Sequence, residues 1–212
     1  MKPYYQDDYV TIYNCDCRDI LGELPKVDLV LTDPPYGITN KTKRGAQRSP
    51  HKYKIRSENW DYKPGKKTID SVLKMSDISM IWGGNYFADI LPVVNSWFFW
   101  HKRQPLDNYA DGELCWNNLK NIHLKYIDYA YYGNIGQDID RQHPTQKPIK
   151  LMRWCIVQAG NPRTILDPFA GSCTTGRAAK DMSRKCICIE LEEKYCEIGA
   201  KRMCQEVMNF NM

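Results

Sequence analysis

The sequence predicts a doubly wound α/β domain with a mostly parallel sheet. Three observations carry this. Short apolar runs bounded by turn residues alternate with amphipathic stretches of helical spacing along most of the 212 residues. Several of the runs end in an acid or a Gly/Pro turn, and open parallel sheets bind ligands beyond such strand ends. The composition, 42% hydrophobic and 26% charged, is that of a globular chain, long enough to bury a core without disulfides or metals.

The elements follow from the pattern. Residues Tyr9–Asn14 read as a strand, and Asp19–Leu24 as a short helix stopped by Pro25. Val27–Thr32 is a buried strand closed by Asp33-Pro34-Pro35-Tyr36. Ser79–Trp82 is a strand ending at Gly83-Gly84, and Ser96–Trp100 and Tyr126–Tyr132 are two more. Within Ser96–Trp100, Trp97, Phe98 and Phe99 are expected in the core and Trp100 at the rim, beside His101 and Lys102. Pro148–Gly160 is a helix that places Ile149, Met152, Cys155, Ile156 and Ala159 on one face. Thr164–Asp167 is a strand, Cys173–Met182 a helix, Lys185–Glu190 a strand and Glu192–Met208 a terminal helix.

Composition also excludes. No apolar run approaches the ~20 residues that a bilayer span needs, and the first eight residues have no apolar segment of a signal peptide. Nine cysteines without regular spacing suit a reducing cytoplasm. The C-x-C pairs Cys15/Cys17 and Cys186/Cys188 are too close for the usual zinc spacing, so no metal is expected.

Charge is distributed unevenly. Gly37–Lys67 holds ten basic residues and two acids, a net +8, which leaves −3 for the rest of a chain of net charge +5. It reads as a long loop hanging from the Asp33 strand end. A loop of that length is usually functional, and its natural counter-charge is a phosphate backbone. Lys41, Lys43, Arg44, Arg48 and Lys52 are the candidate contacts. A solvated insertion with no partner is the alternative.

Two strand ends carry the chemistry. At the first, Asp167-Pro168-Phe169-Ala170-Gly171-Ser172 runs from strand through a tight turn into a helix. Gly171 lets a ligand approach the backbone, and the amides at Thr174 and Thr175 suit an anionic group. Glu190 ends the next strand, placed to take both hydroxyls of a ribose. No G-x-G-x-x-G and no P-loop lysine is present, so the ligand is a nucleoside without a long phosphate chain. S-adenosylmethionine fits. At the second end, Asp33 offers a carboxylate, Pro34 a rigid carbonyl and Tyr36 an aromatic face, with Pro35 stiffening the turn. Two neighbouring acceptors suit an NH2 group on a planar heterocycle.

The motifs resemble those of the β-class DNA amino-methyltransferases. Asp33-Pro34-Pro35-Tyr36 resembles their catalytic D-P-P-Y. Residues 167–175, D-P-F-A-G-S-C-T-T, resemble their cofactor motif D-P-F-x-G-S-G-T-T, and residues 143–148, H-P-T-Q-K-P, resemble the segment just upstream of it. The order, catalytic before cofactor motif, is that of the β class. The resemblance implies a circularly permuted Rossmann-like methyltransferase fold: one catalytic domain over residues 1–212, a basic loop at about 37–67 and a small target-recognition segment at about 101–125. It further implies that Asp33, Pro34, Pro35 and Tyr36 are catalytic. S-adenosylmethionine would be held by Asp16, Thr145, Lys147, Asp167, Phe169, Ala170, Gly171, Ser172, Cys173, Thr174 and Glu190. Residues 82–85, W-G-G-N, resemble a turn that shapes the family's cleft. Cys173 departs from the pattern, standing where the family usually has glycine; its side chain would either crowd the cofactor or turn away.

The activity implied is direct, in-line methyl transfer to the N6 amine of an adenine flipped out of double-stranded DNA, in a cytoplasmic enzyme of bacteria or phage-infected cells. A homodimer is common in the family. Asp33 favours adenine, because cytosine-N4 relatives more often carry Ser there. Cytosine-N4, RNA, and a binding protein weakened by Cys173 are the competing readings.

Overall fold

The computed structural model describes residues 1–38, 62–103, 110–120, 123–131 and 146–205. Its centre is one nine-stranded sheet. The strands are β1 (Tyr5–Gln6), β2 (Val10–Asn14), β3 (Leu29–Thr32), β4 (Ser79–Trp82), β5 (Trp97–His101), β6 (Gly112–Asn117), β7 (Leu124–Asp128), β8 (Thr164–Asp167) and β9 (Lys185–Glu190). The spatial order is β1-β2-β9-β8-β3-β4-β6-β5-β7. From β2 to β4 every pairing is parallel, as is β5 with β7. β6 runs antiparallel to both β4 and β5, and β1 antiparallel to β2.

The chain traces the permutation expected. From β8 it crosses to β9, whose outer neighbour is β2; from β3 it moves the other way, to β4. The reversal falls between β8 and β3, which pair directly through Leu29–Ile165 and Val30–Leu166. In an open α/β sheet a ligand crevice forms at such a switch point, beyond the carboxyl ends of the strands.

Among the described residues five α-helices cover the sheet: α1 (Cys17–Ile20), α2 (Lys66–Leu73), α3 (Ile149–Gln158), α4 (Thr174–Asp181) and α5 (Glu193–Cys204). α3, α4 and α5 line one face, where Leu151, Met152, Cys155 and Ile156 meet Leu29 and Leu31. α1 and α2 line the other, where Ile20 and Val72 meet Val30, Leu166 and Ile189. Burial on both faces explains why β3 reads as an unbroken apolar run.

Several elements differ from the sequence reading. The first helix is Cys17–Ile20 followed by a tighter turn at Leu21–Glu23, not Asp19–Leu24; β7 is Leu124–Asp128, not Tyr126–Tyr132, of which Tyr132 lies outside the described residues; and α5 spans Glu193–Cys204, with Met208 outside the described residues. The basic segment is not loop to its end. Lys66 and Lys67 open α2, a helix that buries Ile69 and Val72, and Lys63 pairs with Asp89. Residues 112–117, inside the candidate recognition segment, are a strand of the main sheet. The aromatic strand alternates, as period-2 geometry requires: Phe98 and Trp100 are buried and Trp97 and Phe99 half-buried, so Trp100 belongs to the core and not the rim. All nine cysteines are free. Among the described residues no helix is long and apolar enough to cross a membrane, and no cluster of metal-ligating side chains occurs.

Candidate active site

Parallel pairing of β3 and β8 puts their acidic tips side by side. Asp167 ends β8 and Asp33 follows β3 directly. The Thr32 hydroxyl donates to Asp167 Oδ1 at 2.7 Å and so ties the two strand ends together. Asp167 is 4% exposed. Burial pushes its carboxyl up to about 6, against hydrogen bonds from Thr175, Thr32 and the Phe169 N–H.

The turn beyond Asp167 is a tight cradle. Gly171 has φ +51°, and a Cβ built there would meet nothing within 4 Å, so the space above the turn is open. Glu190, at the tip of β9, closes the cradle. Its Oε2 accepts from the Gly171 N–H and its Oε1 from the Glu192 N–H, each at 2.8 Å. Each carboxylate oxygen keeps a lone pair for a further donor. The Asn14 side chain donates to the Glu190 and Leu191 carbonyls and thereby brings the end of β2 alongside. Asp16 caps α1 there, and the Arg18 side chain holds its carboxyl below the usual range.

Cys173 resolves one alternative. Its backbone is left-handed (φ +57°), as suits the glycine of the family pattern, yet its side chain is fully buried. The thiol turns into the core, into space left by Gly199 of α5, where an added Cβ would lie 2.5 Å from Sγ. The cradle is therefore not crowded by it.

Arg202 was not anticipated. This buried guanidinium donates to the Ser172 carbonyl at 2.5 Å, to Ser172 Oγ at 3.1 Å and to Thr174 Oγ1 at 3.2 Å. Ser172 Oγ in turn donates to Gln146. The signal was present in the sequence: Arg202 lies three residues after Gly199 and six after Cys196, on the buried face of α5.

The Asp33 pocket is built from four segments. The Tyr36 hydroxyl donates to Asp33 Oδ1, and the Lys147 ammonium to Oδ2 at 2.5 Å. Lys147 is 5% exposed and also lies 3.0 Å from Glu113 Oε2 of β6. Glu113 pairs with Lys102 as well. The Tyr36 ring stacks on exposed Tyr86, 4.6 Å between centroids and 19° between planes. Gly83 (φ +66°) makes room for it, since a Cβ there would lie 2.1 Å from the ring. The 82–85 turn thus seats the Tyr36 ring. The ring expected to stack on a base also stacks on a second aromatic, Tyr86, that sequence reading missed.

The structure brings Asp33, Tyr36, Lys147, Asp167, Phe169, Ala170, Gly171, Ser172, Thr174 and Glu190 to neighbouring strand ends, with Asp16 at the far edge. Thr145 and the basic candidates Lys41, Lys43, Arg44, Arg48 and Lys52 lie outside the described residues.

Comparisons with known proteins identify the family and the fold. A family model described as DNA methylase of the N6/N4 type matches residues 52–201. The chain is 26% identical to the Type II methyltransferase M2.DpnII of Streptococcus pneumoniae over 95% of its own length and 92% of the relative's. It is 24% identical to M.HinfI of Haemophilus influenzae over 96% and 70%. A 62-residue stretch, 29% of this chain and 21% of the relative, is 48% identical to the DNA adenine methyltransferase YhdJ of Escherichia coli K12. Among solved structures, the M1.HpyAVI–SAM complex superposes with a TM-score of 0.61 at 24% identity, covering 92% of this chain and 99% of that one. The cytosine-N4-specific PvuII methyltransferase superposes at 0.65 and 19% identity, covering 98% and 91%. At these identities the structures establish the fold. The family match spans most of the chain, and the chain belongs to the N6/N4 DNA methylase family.

Proposed function

We propose that this chain methylates the exocyclic N6 amine of adenine in double-stranded DNA, with S-adenosylmethionine as cofactor. The observation that carries the reading is the juxtaposition of Asp33 and Asp167 at the ends of adjacent parallel strands, tied by the 2.7 Å hydrogen bond from Thr32.

The residues present fit the cofactor. Glu190 has acceptor capacity for ribose hydroxyls, the turn at Gly171 is open where a ligand would lie, and the Cys173 side chain points elsewhere. Asp167 supplies a buried negative charge beside the turn, and Arg202 fixes Ser172 and Thr174. When bound, S-adenosylmethionine supplies an activated methyl group on a positively charged sulfur.

Asp33 does the work on the acceptor side. An exocyclic amine is a poor nucleophile, because its lone pair is delocalised into the ring. The Asp33 carboxylate and Pro34 carbonyl accept its two hydrogens and favour a more tetrahedral nitrogen. They also stabilise the charge that develops there. Tyr36 and the exposed Tyr86 offer an aromatic surface to a base extruded from the duplex. The basic residues between 37 and 61 are the candidate phosphate contacts. Asp at position 33 supports adenine over cytosine, and the nine free cysteines suit a cytoplasmic setting.

The test is product analysis. Duplex DNA incubated with the protein and S-adenosylmethionine, then digested to nucleosides, yields N6-methyldeoxyadenosine. N4-methyldeoxycytidine in its place, or no methylated nucleoside, overturns the assignment.

A further inference from the structure

The resemblance assigns Lys147 to the cofactor. Its position points elsewhere. The ammonium lies 2.5 Å from Asp33 Oδ2 and 3.0 Å from Glu113 Oε2, and Glu113 is also paired with Lys102. Lys102 sits 5.0 Å above the Trp100 ring. Charges therefore alternate, minus, plus, minus, plus, from the pocket outward. An ammonium that is 5% exposed costs several kcal/mol to desolvate unless its charge is compensated, and here two carboxylates compensate it.

We propose that Lys147 is a positioning residue for Asp33, keeping the carboxylate ionised and aimed at the target amine, and that Glu113 anchors Lys147 in that place. The inference rests on the adenine-methylation reading of Asp33. Only the ionised carboxylate is free to accept from the amine through either oxygen. Burial and the neighbouring Glu113 charge push the Asp33 carboxyl up, and Lys147 with the Tyr36 hydroxyl opposes them. Among the described residues the other titratable groups facing this cluster include Asp167 from β8, which Asp33 repels, Cys115 from β6, whose buried thiol stays neutral, and Tyr86, which stacks on Tyr36. Burial pushes Glu113 up, but Lys147 and Lys102 prevail and hold it at about 2. With both lysines in place Glu113 is charged. Removing the Lys147 charge leaves only the Tyr36 hydroxyl to oppose burial and Glu113 at Asp33. Its pKa rises, and the acid limb of the rate profile moves to higher pH.

The experiment compares wild type with Lys147→Met, Lys147→Arg, Glu113→Gln and the Lys147→Met/Glu113→Gln double variant. It reads kcat on DNA against pH, and the Kd of S-adenosylmethionine by calorimetry. In Lys147→Met the acid limb moves up by about one to three pH units, so rate lost at low pH returns in part at high pH. Lys147→Arg keeps the limb where it is in wild type. The cofactor Kd changes by less than about threefold, and Glu113→Gln in the Lys147→Met background adds no further loss and returns the limb part of the way toward wild type, because it removes the like charge that pushes Asp33 up. Should Lys147→Met not fold, Lys147→Gln, which keeps a donor without the charge, gives the same limb shift. A Kd raised about tenfold or more with an unmoved limb makes Lys147 a cofactor ligand and overturns the proposal, as does an independent, additive loss from Glu113→Gln. Wild-type protein that gives no N6-methyladenine at any pH instead overturns the parent reading.

Discussion

Asp33→Ala abolishes methyl transfer while S-adenosylmethionine still binds. The loss is on the order of 10²–10³-fold or more, the scale seen when a preorganised polar group at the reacting centre is removed. The structure separates the two readouts. Asp33 makes its side-chain contacts with Tyr36 and Lys147, on the acceptor side of the cleft. The cradle at Gly171 is held by Glu190 and Arg202, which do not touch it. The folding cost is moderate, because Lys147 retains Glu113 as a partner; about 1–3 kcal/mol is the scale for one lost charged hydrogen bond. Asp33→Asn keeps one acceptor oxygen without the charge and falls between alanine and wild type. Incorporation of labelled methyl into DNA, with calorimetric titration of the cofactor, measures both effects. Transfer by Asp33→Ala at near wild-type rate refutes the assignment of the pocket.

Gly199→Ala destabilises the protein, against its local propensity. Alanine in a helix interior is ordinarily favoured over glycine by about 1 kcal/mol. Here the added Cβ would stand 2.5 Å from Cys173 Sγ and 3.1 Å from Cys173 Cβ, with Ile12 close behind. Overpacking a close-packed core costs about 1–3 kcal/mol, so packing outweighs propensity. A glycine at 173 removes the obstruction and suits the left-handed backbone there, at the loss of a buried thiol. Cys173→Gly alone is therefore nearly neutral, and in its background Gly199→Ala costs less than about 1 kcal/mol. Thermal melts of the four proteins give the coupling energy. Cofactor affinity in Cys173→Gly stays within about threefold of wild type, because the thiol does not face the cradle. Additive melts, or a large gain in affinity, would contradict this account of how the chain accommodates its departure from glycine.

The legible parts of the fold were those written in local pattern. β4, β8 and β9 begin and end at the residues expected, because each is a short apolar run bounded by turn residues or an acid. The adjacency of Asp33 and Asp167 was also readable, because the order of the motifs implied a permuted sheet. Contacts that depend on distant partners were less legible. Glu113 sits on a strand that pairs antiparallel with both β4 and β5, and its spacing gave no sign of the meeting with Lys147. Tyr86 stacks on Tyr36 because Gly83 turns the chain, which a G-G-N turn suggests without saying what fills it. α2 went unread because Lys66 and Lys67 belong equally to the basic run and to a short helix that buries only Ile69 and Val72 fully.

The central claim is that one cleft, at the seam of β3 and β8, serves both the methyl donor and the target amine. A crystal structure with the unreactive cofactor analogue sinefungin and with adenosine tests it most directly. The account predicts the analogue against Glu190 and the Gly171 turn, and the adenine amine at Asp33, with no protein element between the two. An analogue bound away from the Gly171 turn, or an adenine whose amine makes no contact with Asp33, would contradict it.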